Sequence, residues 1–416
     1  MAYKEHNTAT PLQAPRRRIV YLDTQDYSRL ADAASGRGSK ELLPVLEKLR
    51  NFAKEGSFDF CFSYMIVSEL LQLNPQDIEI TRRKAEVMEE LCGARAFPNI
   101  FWLLSSEIAA AAQKHGFTPT QQSTSLEEIV HHGKWIQTEL PDMNAQLEGF
   151  HERAETLSKE MILKKIGRPL NRHERRRHSK ILSLDDVRQV ISTEPLYQVI
   201  AGTDLVDKFA NAFLHKRVPA VAEEFFRFLG QPTRLVLSHS HLHSMGFLND
   251  QLATLKHGFY RGLGKLRDDF DALQATHGSQ TRMTRAEMLR GPLDEHLVEM
   301  AAKLRSSLAR YGTPLAYFDI SSFDEDMMSI SFLRLWRDLL LPYLLMVTDD
   351  AKTRRAIQPS DMVDFMHALY IPHCRVWRSD RYFANLVSPV AQNLGCRVVP
   401  RLVDLPVVLD EILQAE

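Results

Sequence analysis

The 416-residue chain predicts an α/β fold, a small parallel sheet interrupted by a large α-helical insertion, and three observations carry that expectation. Short apolar runs alternate with helical patterns near the start of the chain. The same alternation returns at its end. Between them lies a long stretch with helical periodicity, charged faces and no convincing paired strands.

The run IVYLD, Ile19 to Asp23, is apolar, β-branched and followed by a polar turn, which reads as a buried strand with a helix from about Tyr27. A second unit opens at Phe58, where FDFCFS alternates like a strand. It gives way to the helical SYMIVSELLQL, with Ser63 as its cap and Pro75 as its stop. From about Gln76 to Arg337 the patterns are helical, as in ITRRKAEVMEELC, EIAAAAQKHG and DEHLVEMAAKLRSSLARYG. The apolar FLRLWRDLLLPYLLMV reads as a core helix packed on the sheet, kinked or ended by Pro342. SDMVDFMHALYI then reads as helix, CRVWRS as strand, DRYFANLV as helix and CRVVP as strand. Residues 18–75 and 338–416 are therefore expected to make one discontinuous domain, and 76–337 the insertion.

Composition narrows the function classes. With 44% apolar and 25% charged residues the chain has the makeup of a globular protein that buries a core. Lys plus Arg (52) nearly cancel Asp plus Glu (53), so any basic binding surface must be local. The four cysteines form no CxxC pair or disulfide framework, and none sits in surroundings that would activate a thiolate. No apolar segment precedes the arginines at 16–18 and none is long enough to span a membrane, which points to a cytoplasmic protein without a membrane partner. There is no GxGxxG, no GxxxxGK[ST] and no GxSxG, so neither nucleotide binding by a glycine loop nor a serine elbow is expected.

In a parallel sheet the ligand crevice lies beyond the carboxyl ends of the strands, where Asp23 and Asp380 fall. Glu69 follows the second strand on a helix, and Asp361 and Asp364 share a face of the late helix. Here the sequence resembles the PIN-domain family of metal-dependent nucleases. YLDTQDYSRLADA is similar to that family's first strand with its metal-binding Asp, and MIVSEL to its helix-borne Glu. PSDMVDFMHALYIPHCRVWRSDRYF resembles its late helix with one or two Asp, then a strand ending in Ser or Thr followed by Asp.

The resemblance implies a metal site of Asp23, Glu69, Asp361, Asp364 and Asp380, which would be catalytic as well as ligating, with either Asp361 or Asp364 as the third acid. Carboxylates gathered from separate elements hold hard cations such as Mg²⁺ or Mn²⁺, and the cation relieves their mutual repulsion. The implied chemistry is hydrolysis of phosphodiester bonds, in RNA by preference because that is the commoner substrate of the family. The alternative is a catalytically inactive PIN-like scaffold in which the acids serve as caps. Each acid has an ordinary role open to it: helix-dipole partner for Asp361, N-cap for Asp380, turn residue for Asp23, solvated side chain for Glu69. Asp26 reads as a cap rather than a ligand, and Thr24 and Ser379 as turn residues able to bond a carboxylate or phosphate.

The segment KKIGRPLNRHERRRHSK, residues 164–180, carries eight Lys or Arg against one Glu. Lys164, Lys165, Arg172, Arg175, Arg176 and Arg177 are the expected nucleic-acid contacts, since guanidinium groups suit phosphate and release counterions on binding. The competing reading is a solvated loop. The histidines of SHSHLHS, His239, His241 and His243, would converge on a metal only from a strand, and their surroundings read as helical. His131 and His132 point apart on any regular element.

Overall fold

The computed structural model describes residues 18–70, 78–98, 156–177, 180–193, 204–215, 247–277, 285–309, 331–347 and 360–415, with a few isolated positions between them. The segments holding His131, His132, His239, His241, His243 and most of EIAAAAQKHG lie outside the described residues, as do Pro75, Arg16 and Arg17.

Four short strands form one parallel sheet: β1 (Ile19–Tyr21), β2 (Asp59–Cys61), β3 (Val376–Arg378) and β4 (Arg397–Val399), in the order β2-β1-β3-β4. Tyr21 pairs with Cys61 on one side and with Trp377 on the other. Val20, Tyr21, Phe60, Cys61, Val376 and Trp377 are buried, as a sheet covered on both faces requires.

Helices α1 (Thr24–Ala34) and α2 (Leu42–Glu55) connect β1 to β2. The first begins three residues before Tyr27, because Asp23 and Asp26 cap it: the Asp26 carboxylate accepts the Asp23 amide at 3.2 Å. Gly56 ends α2 in the left-handed conformation. Helix α3 (Tyr64–Leu70) follows β2, with the Ser63 hydroxyl accepting the Ile66 amide at 3.4 Å.

The α/β unit reaches further than residue 75. Helix α4 (Ile78–Cys92) packs on α1 and α2, and the chain after it bridges Phe62 to Ala96 in parallel, adding a nascent strand beside β2. The expected boundary misses this because a single bridge leaves no alternating run to see.

The described insertion includes a helical stretch over 156–166 and helices α5 (Arg172–Arg176), α6 (Leu184–Thr193), α7 (Leu205–Leu214), α8 (Phe247–His277) and α9 (Arg285–Ala309). Helix α10 (Ser331–Val347) runs through Pro342 without ending there and packs on both α9 and the later α12. The second expected boundary, at 338, therefore divides a single helix. Helices α11 (Asp361–Ala368), α12 (Arg381–Asn393) and α13 (Leu405–Ala415) complete the chain. Among the described residues no helix is long and apolar enough to cross a membrane.

Candidate metal centre

The sheet order fixes where a ligand could sit. From β1 the chain goes outward to β2, and from β3 it goes outward the other way to β4, so the sheet reverses direction between β1 and β3. A crevice opens at the carboxyl ends of strands on either side of such a reversal. Asp23 follows β1 and begins α1; Asp380 follows β3 and begins α12. Both stand at helix N-termini, where the backbone dipole favours a carboxylate.

Two further helices close the crevice. Glu69 comes from α3 and His367 from α11, and these helices pack together with α8 of the insertion against both. Ligand-capable atoms of Asp23, Glu69 and His367 all lie within 4.8 Å of one another. The imidazole is buried, while the two carboxylates keep partial exposure. Two carboxylate oxygens and one imidazole nitrogen converging from three elements are a donor set suited to a divalent cation.

A hydrogen-bonded chain fixes these groups. Ser63 Oγ lies 2.6 Å from Tyr21 Oη, which lies 2.6 Å from His367 Nδ1. His367 Nε2 is 3.0 Å from Glu69 Oε2, and that oxygen also accepts the Thr24 hydroxyl at 2.6 Å. Tyr21 is itself held among rings, with centroids 5.7 Å from Phe97 and 5.6 Å from Tyr370.

Electrostatics in the crevice are dominated by burial and excess negative charge. Burial raises Asp364, helped by Asp23, Asp380 and Glu69 and only partly opposed by His367, so that its carboxyl is pushed up to about 8. Burial also raises Asp23, with His367 and Arg378 opposing and Glu69 reinforcing. Burial favours neutral His367, but its hydrogen bond to Glu69 and the surrounding carboxylates outweigh that and raise it. Glu69 is lowered in return: the His367 bond and charge, Thr24 and then Lys256 of α8 overcome its burial. Asp26, 2.7 Å from Arg378 Nη2 in a fully buried pair, is pushed up to about 7 by burial, Arg378 opposing and Asp23 adding to it.

Of the acids expected from the sequence, Asp23, Glu69, Asp364 and Asp380 are thus neighbours around one crevice, and Asp361 is engaged elsewhere. The Asp361 carboxylate accepts the Tyr343 hydroxyl at 2.5 Å and the Gln358 amide at 2.8 Å, buried against α10. Helix α11 is buried nearly all round, and Asp364 is its one partly exposed residue, whereas Asp361 is buried. Asp380 also works as a cap, its Oδ1 accepting the Phe383 amide at 2.8 Å. His367 and Arg378 were not expected from the sequence. The available signal was the i,i+3 spacing of Asp364 and His367, which puts them on neighbouring positions of one short helix.

The basic segment is separate in character. Lys164, Arg172, Arg176 and Arg177 are exposed. Lys165 pairs with Asp186 at 2.9 Å, Arg168 with Glu174 at 2.5 Å, and Arg175 donates to the Leu170 carbonyl. Asn171 caps α5 through the His173 and Glu174 amides, so this stretch is an ordered helical turn.

No family model matches the chain, and comparison with curated proteins and with solved structures finds no match either.

Proposed function

We propose that the protein is a divalent-metal-dependent nuclease of PIN-like type, hydrolysing phosphodiester bonds in RNA with Mg²⁺ or Mn²⁺. The observation that carries this reading is the convergence of Asp23, Glu69 and His367 at the point where the parallel sheet reverses direction. Asp364 adds support, because its carboxyl, pushed up to about 8 by burial with Asp23, Asp380 and Glu69 adding to it, belongs to a buried crevice that gathers several carboxylates.

In this reading Asp23, Glu69 and His367 hold the cation, and Asp364 and Asp380 flank it. A bound divalent cation supplies Lewis acidity, lowering the pKa of water and stabilising charge on the phosphate. The Thr24 hydroxyl, donated at 2.6 Å, holds the Glu69 carboxylate in place. The exposed Lys164, Arg172, Arg176 and Arg177 bind the RNA backbone without taking part in the chemical step.

A second reading, a catalytically silent binding or scaffold protein, draws on the partners the carboxylates already have, His367 for Glu69 and Arg378 for Asp26. Incubation of labelled single-stranded and structured RNA with the full chain separates the two. The nuclease reading requires cleavage supported by Mg²⁺ or Mn²⁺, abolished by EDTA and by Asp23→Asn, with 5′-phosphate and 3′-hydroxyl ends. Products ending in 2′,3′-cyclic phosphate would contradict hydrolysis by water, and intact RNA in every condition would favour the scaffold.

A further inference from the structure

We infer that His367 is a direct metal ligand through Nε2, its ring fixed by Tyr21, so that the centre selects a transition cation such as Mn²⁺ over Mg²⁺. The inference rests on the metal-dependent reading above and goes beyond it in naming the coordinating atom, the residue that fixes its ring and a selectivity.

Geometry leads to the assignment. For bonds of about 2.1 Å, adjacent ligands of an octahedral cation stand about 3.0 Å apart. His367 Nε2 and Glu69 Oε2 are separated by 3.0 Å, with an Asp23 ligand atom within 4.8 Å of both. His367 Nε2 and Glu69 Oε2 could therefore both reach one cation from their present positions, with Asp23 close enough to join them by a small approach. The ring has little freedom to do otherwise, since it is buried and its other nitrogen lies 2.6 Å from Tyr21 Oη.

The hydrogen bonds also fix which nitrogen is presented. With Nε2 on the cation, Nδ1 carries the hydrogen and donates to Tyr21 Oη. Tyr21 then donates to Ser63 Oγ, which accepts from the Ile66 amide as well. His367 Nδ1–H, Tyr21 Oη–H and the Ile66 amide each then have an acceptor. This is the arrangement in which an outer partner orients a metal-bound imidazole and sets its tautomer. Tyr21 is accordingly a positioning residue.

The donor set decides selectivity. Carboxylates alone suit Mg²⁺ and Mn²⁺ alike, whereas an imidazole nitrogen favours first-row transition ions and gives Mg²⁺ a poor partner. Replacing the nitrogen by an amide should therefore cost Mn²⁺ much more than Mg²⁺.

Pulsed electron paramagnetic resonance of the Mn²⁺-loaded full chain tests this without reference to activity. The expected result is a ¹⁴N modulation from a coordinated imidazole that changes to a ¹⁵N pattern when histidine is isotopically labelled. His367→Gln should abolish it and lower Mn²⁺ affinity about 10- to 100-fold while Mg²⁺ affinity changes little. Tyr21→Phe should keep the modulation and weaken Mn²⁺ binding less. Bound Mn²⁺ without ¹⁴N coupling in the wild type would overturn the assignment and leave the metal-dependent reading standing. Failure of the wild type to bind Mn²⁺ at all would instead overturn both. The wild-type spectrum is decisive alone, so the outcome survives a variant that fails to fold.

Discussion

Tyr21 Oη and His367 Nδ1 stand 2.6 Å apart although 346 positions separate them in the chain. The bond ties the last residue of β1 to the helix that brings the chain back to the sheet, so one contact fixes both the closure of the discontinuous unit and the orientation of the imidazole. Tyr21→Phe should therefore destabilise the metal-free protein by roughly 1–3 kcal/mol, the cost of leaving buried polar partners unsatisfied. Urea unfolding measures it. Wild-type stability in the variant would mean that the hydroxyl contributes nothing to closure.

Asp361 and Asp364, one turn apart on α11, should behave as opposites. Asp361→Asn disturbs the bonds to Tyr343 and Gln358 and should lower stability by about 1–3 kcal/mol with Mn²⁺ affinity unchanged. Asp364→Asn removes a buried carboxyl among like charges, so it should raise the stability of the metal-free protein above pH 7 and weaken the cation. A common effect of the two substitutions, measured by thermal unfolding and Mn²⁺ titration, would contradict their separation.

The dependence of stability on pH follows from the raised groups. Asp364, ordinarily at 3.8 and here at about 8, keeps a proton in the folded chain that the unfolded chain loses between those values. Its stabilising contribution is full below the lower value and lost as pH rises through the higher one. Asp26 acts in the same sense up to about 7, and raised His367 does so above its ordinary value of 6.5. Glu69, lowered, has the opposite sign and matters only at acid pH. The metal-free protein should thus be more stable at pH 5.5 than at pH 8.5, by roughly a few kcal/mol. Saturating Mn²⁺ should flatten that slope. Denaturant midpoints across the pH range provide the check, and stability rising toward pH 8.5 would have the wrong sign.

Arg378 and Asp26 form a pair in which neither side chain is more than 1% exposed. Arg378→Met strands a buried carboxylate and should cost roughly 3–5 kcal/mol, while adding Asp26→Leu should recover most of it, because an apolar pair of similar size is tolerated where a lone charge is not. Chemical denaturation of the two single variants and the double variant measures the coupling; additive losses would show that the pair does not act as a unit.

Much of the sheet was legible because its signals are local. IVY, CRVW and CRVVP are apolar runs short enough to read as buried strands, and each acid at a strand end is visible from where the run stops. Asp23 and Asp380 were accessible in that way. His367 was not, since it lies on a helix buried nearly all round, where a histidine has no periodicity to break and its partners Tyr21 and Glu69 are hundreds of residues distant. The Asp361 ambiguity had the same origin: two acids on one helix look alike until the neighbour, Tyr343 on α10, is known. The bridge at Ala96 was invisible because one residue carries no pattern.

The basic segment should affect recruitment of RNA and not the metal. Replacing Arg172, Arg175, Arg176 and Arg177 by alanine should weaken RNA binding and flatten its salt dependence, each lost phosphate contact removing roughly 0.7 to 0.9 from the log–log slope. Arg175 should contribute least, since it also donates to the Leu170 carbonyl. Equal slopes for wild type and variant across a salt series would make the segment a solvated turn.

If the crevice between β1 and β3 is a metal centre, calorimetric titration of Mn²⁺ into the EDTA-stripped, dialysed full chain will show it. Saturable binding is expected, which Asp23→Asn and Glu69→Gln each weaken at least about tenfold, with Asp361→Asn binding like wild type. A wild-type protein indifferent to Mn²⁺, or binding that survives loss of both Asp23 and Glu69, would contradict it.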